Sequence, residues 1–450
     1  MTQSVSTNTS HMAPRAEELV PYPETQERVF DQVRAQLERV YEKSPYYRQA
    51  FDAAGVHPSE ILTPADFGRV PLMDKQIERQ CQADEAPFGT HLTVDPSEVV
   101  RVHASSGTTG VPTYFALTPA DLDMWSRTGS DAFHTMGVGP GDTWAALGNF
   151  SMFVGGLPAV SSAQASGACV VPIGASAGTE RTLQLIRDLG VNVIGATPSF
   201  AIHLGELVER HLGITPAELG IRIIMIGGEP GAQIPAIRQQ IESLWNCEVR
   251  DAMGMGEIAG TIWAESSDED GMHLVPVNDV YVELIDPTTC EVLPWEDGAT
   301  GEVVYTTFTR QATPLIRFRS FDQVEVKLTS VPSGRMTPRV RSIGRSDDML
   351  LVRGMNVFPS AIQDVVASFA PETNGHLRIM LDAPGPLVAP PVEIVVESTV
   401  VGDAEREADL IKRIEHDMKA RLSFRAEVSL VAPETFERTA LKSQLVVIRK

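Results

Sequence analysis

Between residues 145 and 226, short apolar runs alternate with a helical period, and this alternation constrains the chain more than any other feature. Residues 169–173, 191–195 and 221–226 are rich in β-branched side chains and apolar on both faces. A half-exposed strand alternates apolar with polar residues, whereas a strand apolar on both faces must be covered on both sides. Residues 182–189, between two of these runs, have helical spacing and stop at Gly190. Strand, helix and strand in this order predict parallel strands with crossover helices, an α/β architecture. Ligands of such sheets bind at the carboxyl ends of the strands. The segments that follow the strands are therefore the first place to look for chemistry.

The pattern changes after residue 277. Residues 280–285 and 302–306 read as antiparallel strands joined through Pro- and Gly-rich turns. Upstream, Thr25 is the expected cap of a helix whose Val29, Phe30, Val33, Leu37, Val40 and Tyr41 share one face. A second change follows Val340. It comprises a short strand at 349–352, a helix opened by Pro359 and running to Phe369, and strands at 376–381 and 393–396. A charged amphipathic helix at 403–422 and a last strand at 427–431 complete a small α+β unit of ordinary domain size. A chain of 450 residues is too long for one core. The expected division is a disordered tail at 1–14, a large N-terminal domain at 15–345 with parallel-strand sheets, and a small mobile C-terminal α+β domain at 346–450.

A net charge of −22 argues against a general polyanion-binding surface, so no nucleic-acid partner is expected. Any phosphate-bearing ligand must be held locally, by backbone N–H groups and a few selected cations. Cys81, Cys169, Cys247 and Cys290 form no C-x-x-C pair, which fits a reducing, cytoplasmic setting and no structural zinc. No apolar run is long enough for a transmembrane helix, so no membrane partner is expected. The Ser- and Thr-rich start lacks the apolar core of a signal peptide.

Four motifs carry the chemistry. Ser105-Ser106-Gly107-Thr108-Thr109-Gly110-Val111-Pro112-Thr113 is built of small residues whose backbone can curl round an anion and whose hydroxyls can donate to phosphate oxygens. It lacks the lysine of a P-loop, and a Ser/Gly-rich surface turn is the plain alternative. Ile226-Gly227-Gly228-Glu229-Pro230-Gly231 follows an apolar strand, where paired glycines would let a flat ring lie on the backbone; an ordinary strand-to-helix turn reads the same way. Met253-Gly254-Met255-Gly256-Glu257 presents a carboxylate on a glycine-flanked turn, a fit for Mg2+, although a lone turn glutamate is often just solvated. Gly344-Arg345-Ser346-Asp347-Asp348, followed by Arg353-Gly354-Met355-Asn356-Val357-Phe358-Pro359, lies at the composition change and reads as a hinge or as a plain linker.

The order of the four motifs resembles the adenylate-forming superfamily, and within it the phenylacetate–CoA ligase family. Ser44-Pro45-Tyr46-Tyr47-Arg48, the run from His103 to Gly110, Ala196-Thr197-Pro198-Ser199 and the segment through Pro359 add to the likeness, which spans nearly the whole chain. The resemblance implies an ATP-dependent ligase with Mg2+ and coenzyme A. Such an enzyme converts a small aromatic carboxylic acid to an acyl-adenylate and passes the acyl group to a thiol, either CoA or the pantetheine of a carrier protein. An amine acceptor stays open, as does a homodimer. A non-catalytic nucleotide-binding module is the contrasting reading, but it has no need of both a metal-linked glutamate and an adenylation lysine.

The resemblance also implies roles. Ser105, Ser106, Gly107, Thr108, Thr109 and Gly110 would clamp the β,γ-phosphates, with Thr109 among the catalytic groups. Gly228, Glu229 and Pro230 would face adenine, with Met253 and Gly254 beside them. Glu257 would be linked to Mg2+, Asp322 would accept from the ribose hydroxyls, and Arg345 would touch the nucleotide. Asp347 would be the hinge and Lys442 the adenylation lysine. Phe153, Gly155, Gly228 and Met253 would line the aryl pocket. The chain departs from the family pattern at Val111 (usually Lys), Met253 (usually aromatic), Gly256 (Ser or Thr) and Leu441 (Gly). His103 reads either as a ligand contact or as a packed, hydrogen-bonded core histidine.

Overall fold

The computed structural model describes residues 13–105, 112–148, 150–152, 154–353, 355–383, 385–436 and 445–449. Its centre is a 12-stranded mixed sheet. At one end, Cys169–Val171, Thr143–Ala146, Val193–Ala196, Ile223–Gly227 and Glu248–Met255 lie side by side and all parallel. The Val- and Ile-rich runs thus form the predicted parallel strands; the first ends two residues early, and the other two start two residues later and end one later than expected. The helices Thr179–Asp188, Pro198–Leu212 and Pro235–Trp245 cover one face, where Leu183, Ile186, Leu204, Ile237 and Trp245 bury against Ile194, Ile224 and Ile226. On the opposite face, Phe133, Met136 and Ala163 pack on Trp144, Val193 and Ile223. Gly129 and Ser162 come so close there that a Cβ on Gly129 would lie 1.8 Å from Ser162 Oγ.

From Glu248–Met255 onward the sheet turns antiparallel, through Ala259–Glu265, Met272–Leu274, Arg339–Arg345, Phe318–Lys327, Thr300–Thr307, Val280–Ile285 and Val292–Leu293. The predicted pairing of 280–285 with 302–306 is present, with Val282 opposite Tyr305. The helix Tyr22–Lys43 lies against this half and carries Val29, Phe30, Val33, Leu37 and Val40 into the core. Its start differs from expectation. The helix opens at Tyr22 with Pro23 in its first turn, where a missing N–H costs nothing, so Thr25 is buried inside the helix and does not cap it.

Beyond Arg345 a separate apolar core forms. Leu350, Val357, Ile362, Val366, Leu377, Ile394, Ile414 and Met418 pack together around a three-stranded and a four-stranded sheet. The helices Pro359–Ala367 and Ala404–Leu422 take part, the latter capped by Asp403, which accepts from Arg406 N–H. The strand Ala426–Val431 is not the last one: Val446–Ile448 follows and runs parallel to Thr373–Leu381. This unit touches the large body where Ser360 Oγ donates to Ile343 O at 3.0 Å and where Phe358 leaves no room for a side chain at Gly344.

Candidate active site

The carboxyl ends of four parallel strands line one edge of the large sheet. The segments following them contain Gly148 to Gly156, Thr197 to Ser199, Gly228 to Pro230, and Gly256 with Glu257. Motifs spread over more than a hundred residues are thereby set side by side. Each strand is fixed by its register, Gly195 opposite Met225 and Gly227 opposite Ala252, so the loops inherit a rigid base.

The two glycines before Glu229 do different work. A Cβ on Gly227 would lie 2.6 Å from Ala252 O, so its bareness serves strand packing rather than a ligand's approach. Gly228 has φ +86°, a left-handed conformation that turns the chain out of the strand. Glu229 Oε1 then accepts from Ser199 N–H at 2.8 Å, which ties this loop to the first turn of Pro198–Leu212. Met253 and Gly254 belong to strand Glu248–Met255, so the turn expected to begin at Met253 begins at Gly256. Gly254 must be glycine, because a Cβ there would lie 2.1 Å from Gly260 O. Gly256 is crowded by Phe115 at 3.0 Å and Val154 at 3.4 Å, a reason for the missing serine or threonine. Gly155 O closely approaches Gly148 at the end of Thr143–Ala146.

Ser105 and Thr113 close the neck of the Ser/Thr/Gly loop. Ser105 N–H donates to Thr113 O at 3.0 Å, Thr113 N–H donates to Ser105 Oγ at 3.2 Å, and the two hydroxyl oxygens are 2.8 Å apart. Thr113 Oγ1 also lies 3.5 Å from Glu257 Oε1, so the first and third motifs meet. Ser106, Gly107, Thr108, Thr109, Gly110 and Val111 lie outside the described residues, as do Phe153, Gly354, Leu441 and Lys442.

Sequence reasoning missed the charges around Glu257. Lys75, at the start of helix Lys75–Asp84, places Nζ 2.6 Å from Glu257 Oε1. Arg310 is buried, donates to the carbonyls of Glu257 and Ile258, and lies over the Trp125 ring at 5.4 Å. Glu78 is buried beside them; burial first, then repulsion from Glu257, pushes its carboxyl up to about 8 against the pull of Lys75 and Arg310. Burial, and then Arg310, brings His91 down to about 4. The signal in the sequence is faint: Lys75 and Glu78 sit in a polar helix that reads as surface, and Arg310 is a single charge in a Thr-rich stretch. Oxygen donors from Glu257 and Thr113, with a cation already resting on the carboxylate, suit a hard divalent ion.

The Glu78 environment sets a pH dependence. The folded protein keeps this proton up to about 8, whereas the unfolded chain releases it near the ordinary 4.5. Stability contributed by the proton is present below 4.5 and lost as pH rises through 8. Glu78→Gln is expected to flatten the fall in melting temperature across that interval. Parallel curves for variant and wild type would refute the assignment.

Asp322 and Arg345 form a second group. They face each other across paired strands, and Arg345 Nη1 donates to Asp322 Oδ1 at 2.9 Å. Arg345 Nε and Nη2 each donate to the Asp347 carboxylate at 2.8 Å. Burial works to depress the guanidinium, but Asp322, Asp347 and Asp348 together hold it above its ordinary value. His103 is a core histidine: it is buried, its Nδ1 lies 3.0 Å from Met152 O, and it packs on Phe115 and Trp125.

Comparison with known proteins places this geometry. The model of the AMP-binding enzyme family matches residues 25–308, and that of the AMP-binding enzyme C-terminal domain matches residues 354–450. The chain is 35% identical over 434 residues to the phenylacetate-coenzyme A ligase of Aromatoleum evansii, across 93% of this chain and 95% of that protein. It is 33% identical over 397 residues to the phenylacetate-coenzyme A ligase of Escherichia coli (strain K12), across 88% of each. A solved structure of 2-hydroxyisobutyryl-CoA ligase in the postadenylation state with R3-HIB-AMP superposes with a TM-score of 0.88 at 28% identity, over 100% of this chain and 94% of that one. The same ligase with 2-HIB-AMP and CoA in its thioesterification state gives 0.71 at 30% identity, over 97% and 93%. The present arrangement is the nearer to the postadenylation complex.

Proposed function

The chain belongs to the AMP-binding enzyme family, and from that premise we propose that it is an aryl acid–CoA ligase whose catalytic groups are those gathered at the strand ends. It is an acid–thiol ligase of the adenylate-forming kind, with ATP and coenzyme A as co-substrates. The aromatic acid is the finer reading, supported by the phenylacetate-coenzyme A ligases among its relatives and by apolar neighbours such as Phe150, Val154 and Met253. The observation that carries the reading is the meeting of Ser105, Thr113 and Glu257 at the carboxyl edge of the parallel strands.

In the first half-reaction the acid's carboxylate attacks the α-phosphorus of ATP and pyrophosphate leaves. A divalent cation on Glu257 would supply charge neutralisation for the phosphates. The Ser105 to Gly110 loop would donate to the phosphate oxygens, Gly228, Glu229 and Pro230 would face adenine, and Lys442 would bridge carboxylate and phosphate. The protein's part is positioning and preorganised charge. In the second half-reaction the small domain, residues 346–450, would turn about Asp347 and withdraw Lys442, and the thiol of CoA would expel AMP. Two chemistries in one pocket give the turn its purpose. Phe153 and Gly155 would line the ring's side of the pocket.

Pyrophosphate release, screened over aromatic, short-chain and medium-chain acids with and without CoA, tests the reading. Aromatic acids should lead, with CoA thioester as product. Better turnover of fatty acids than of every aromatic acid would reject the aryl assignment, and product only with a pantetheinylated carrier protein would reject CoA. Among the described residues no helix is long and apolar enough to cross a membrane.

Asp322 is assigned to the ribose. Asp322→Ala is expected to raise the dissociation constant for ATP about 10- to 100-fold, as hydrogen bonds to a charged acceptor are lost. The requirement for the acid should change little. Calorimetry with ATP measures this, and an unchanged constant removes Asp322 from the site.

A further inference from the structure

Lys75 and Glu257 are 182 residues apart in sequence and 2.6 Å apart in space. Glu257 is buried, with 4% of its side chain exposed, whereas 33% of Lys75 remains in contact with solvent. The ammonium therefore reaches the carboxylate from the open side. The same carboxylate oxygen lies 3.5 Å from Thr113 Oγ1, at the neck of the Ser/Thr/Gly loop. That loop, Ser105 through Thr113, contains no lysine or arginine. Arg310 is buried and fastened to two backbone carbonyls, and Arg345 is engaged by Asp322 and Asp347. Lys75 is a compact charge on a flexible four-carbon stem at the first position of its helix, so it can change partners without moving the backbone.

We propose that Lys75 is a phosphate-binding residue of this site. It rests on Glu257 and passes to the terminal phosphates of a nucleoside triphosphate when a divalent cation takes the carboxylate. The inference rests on the ligase reading above and adds a residue to it. A second cation brought to Glu257 repels the ammonium, while a triphosphate at the loop neck attracts it, so both changes drive the transfer in one direction. In a chain of net charge −22 a local cation of this kind is needed to hold a polyanion.

Titration calorimetry of the full chain with α,β-methylene-ATP and with AMP, each with Mg2+, tests the proposal. Lys75→Met should weaken triphosphate binding about 10- to 100-fold and leave AMP within about twofold. Lys75→Arg should keep most of the triphosphate affinity, which guards against a folding defect. With EDTA in place of Mg2+, the gap between wild type and Lys75→Met should shrink below about threefold, because the lysine stays on Glu257. Wild-type triphosphate affinity in Lys75→Met, or equal losses for both nucleotides, overturns the assignment. A full gap without metal overturns the transfer. Wild-type protein that binds neither nucleotide defeats the ligase reading itself.

Discussion

Lys442→Ala is expected to slow adenylate formation about 10²–10³-fold, the usual cost of losing one donor that acts on a transition state. Thioester formation from supplied acyl-adenylate should be nearly unchanged. The two ends that flank residues 437–444 are anchored to one sheet. Phe436 N–H donates to Glu397 Oε1 at 2.7 Å, and Val446 pairs with Ile379. On the proposed turn of residues 346–450, Lys442 would serve the first half-reaction and be withdrawn for the second. Pyrophosphate release measures the first half and thioester yield the second. Equal loss in both would mean that Lys442 does not separate the two steps.

Arg310→Met is expected to cost about 3–5 kcal/mol of stability, measured by urea unfolding. The guanidinium is buried, and Asp121, Glu78 and Glu257 all act on it. Its removal takes a shared counter-charge from Asp121 and Glu257 and the guanidinium donor from Glu257 O, while Ile258 O keeps the Trp125 indole N–H. Arg310→Lys should recover little, because a single ammonium cannot reproduce the fork. Adding Glu78→Gln to Arg310→Met should return part of the loss only above about pH 8, where the Glu78 carboxyl would otherwise ionise without its cation. A single variant as stable as wild type would show that Glu78 and Glu257 tolerate each other without Arg310.

The parallel strands were legible because a strand covered on both faces needs apolar residues on both, and 191–195 and 221–226 have them. The antiparallel half was legible only in part. Phe318–Lys327 and Arg339–Arg345 carry arginines that look like surface residues. In the fold these are paired, as is Arg317 just before them: Arg317 holds Glu283, Arg319 holds Glu302, and Arg339 holds Asp270. Pattern reading takes a charge as a sign of exposure, so a strand of paired charges escapes it. The same blindness hid Lys75, Glu78 and Arg310, whose partners lie far along the chain. The hairpin of Arg101–Ala104 with Tyr114–Leu117 is too short to show a period, and so is Val446–Ile448. Gly228 and Glu257 were singled out by their glycine-bearing turns and given roles by the resemblance, whereas Asp322 was named through the resemblance alone, because a carboxylate in a strand has no signal of its own.

Arg345 grips Asp322 within the sheet and Asp347 just beyond it. At the proposed hinge this sets an ionic contact beside the apolar packing of Phe358 on Gly344. Dissolved salt weakens partly exposed ion pairs and leaves apolar packing largely untouched. Added salt is therefore expected to act as a selective solvent for the Arg345 contacts at the proposed hinge, while both domains keep their cores.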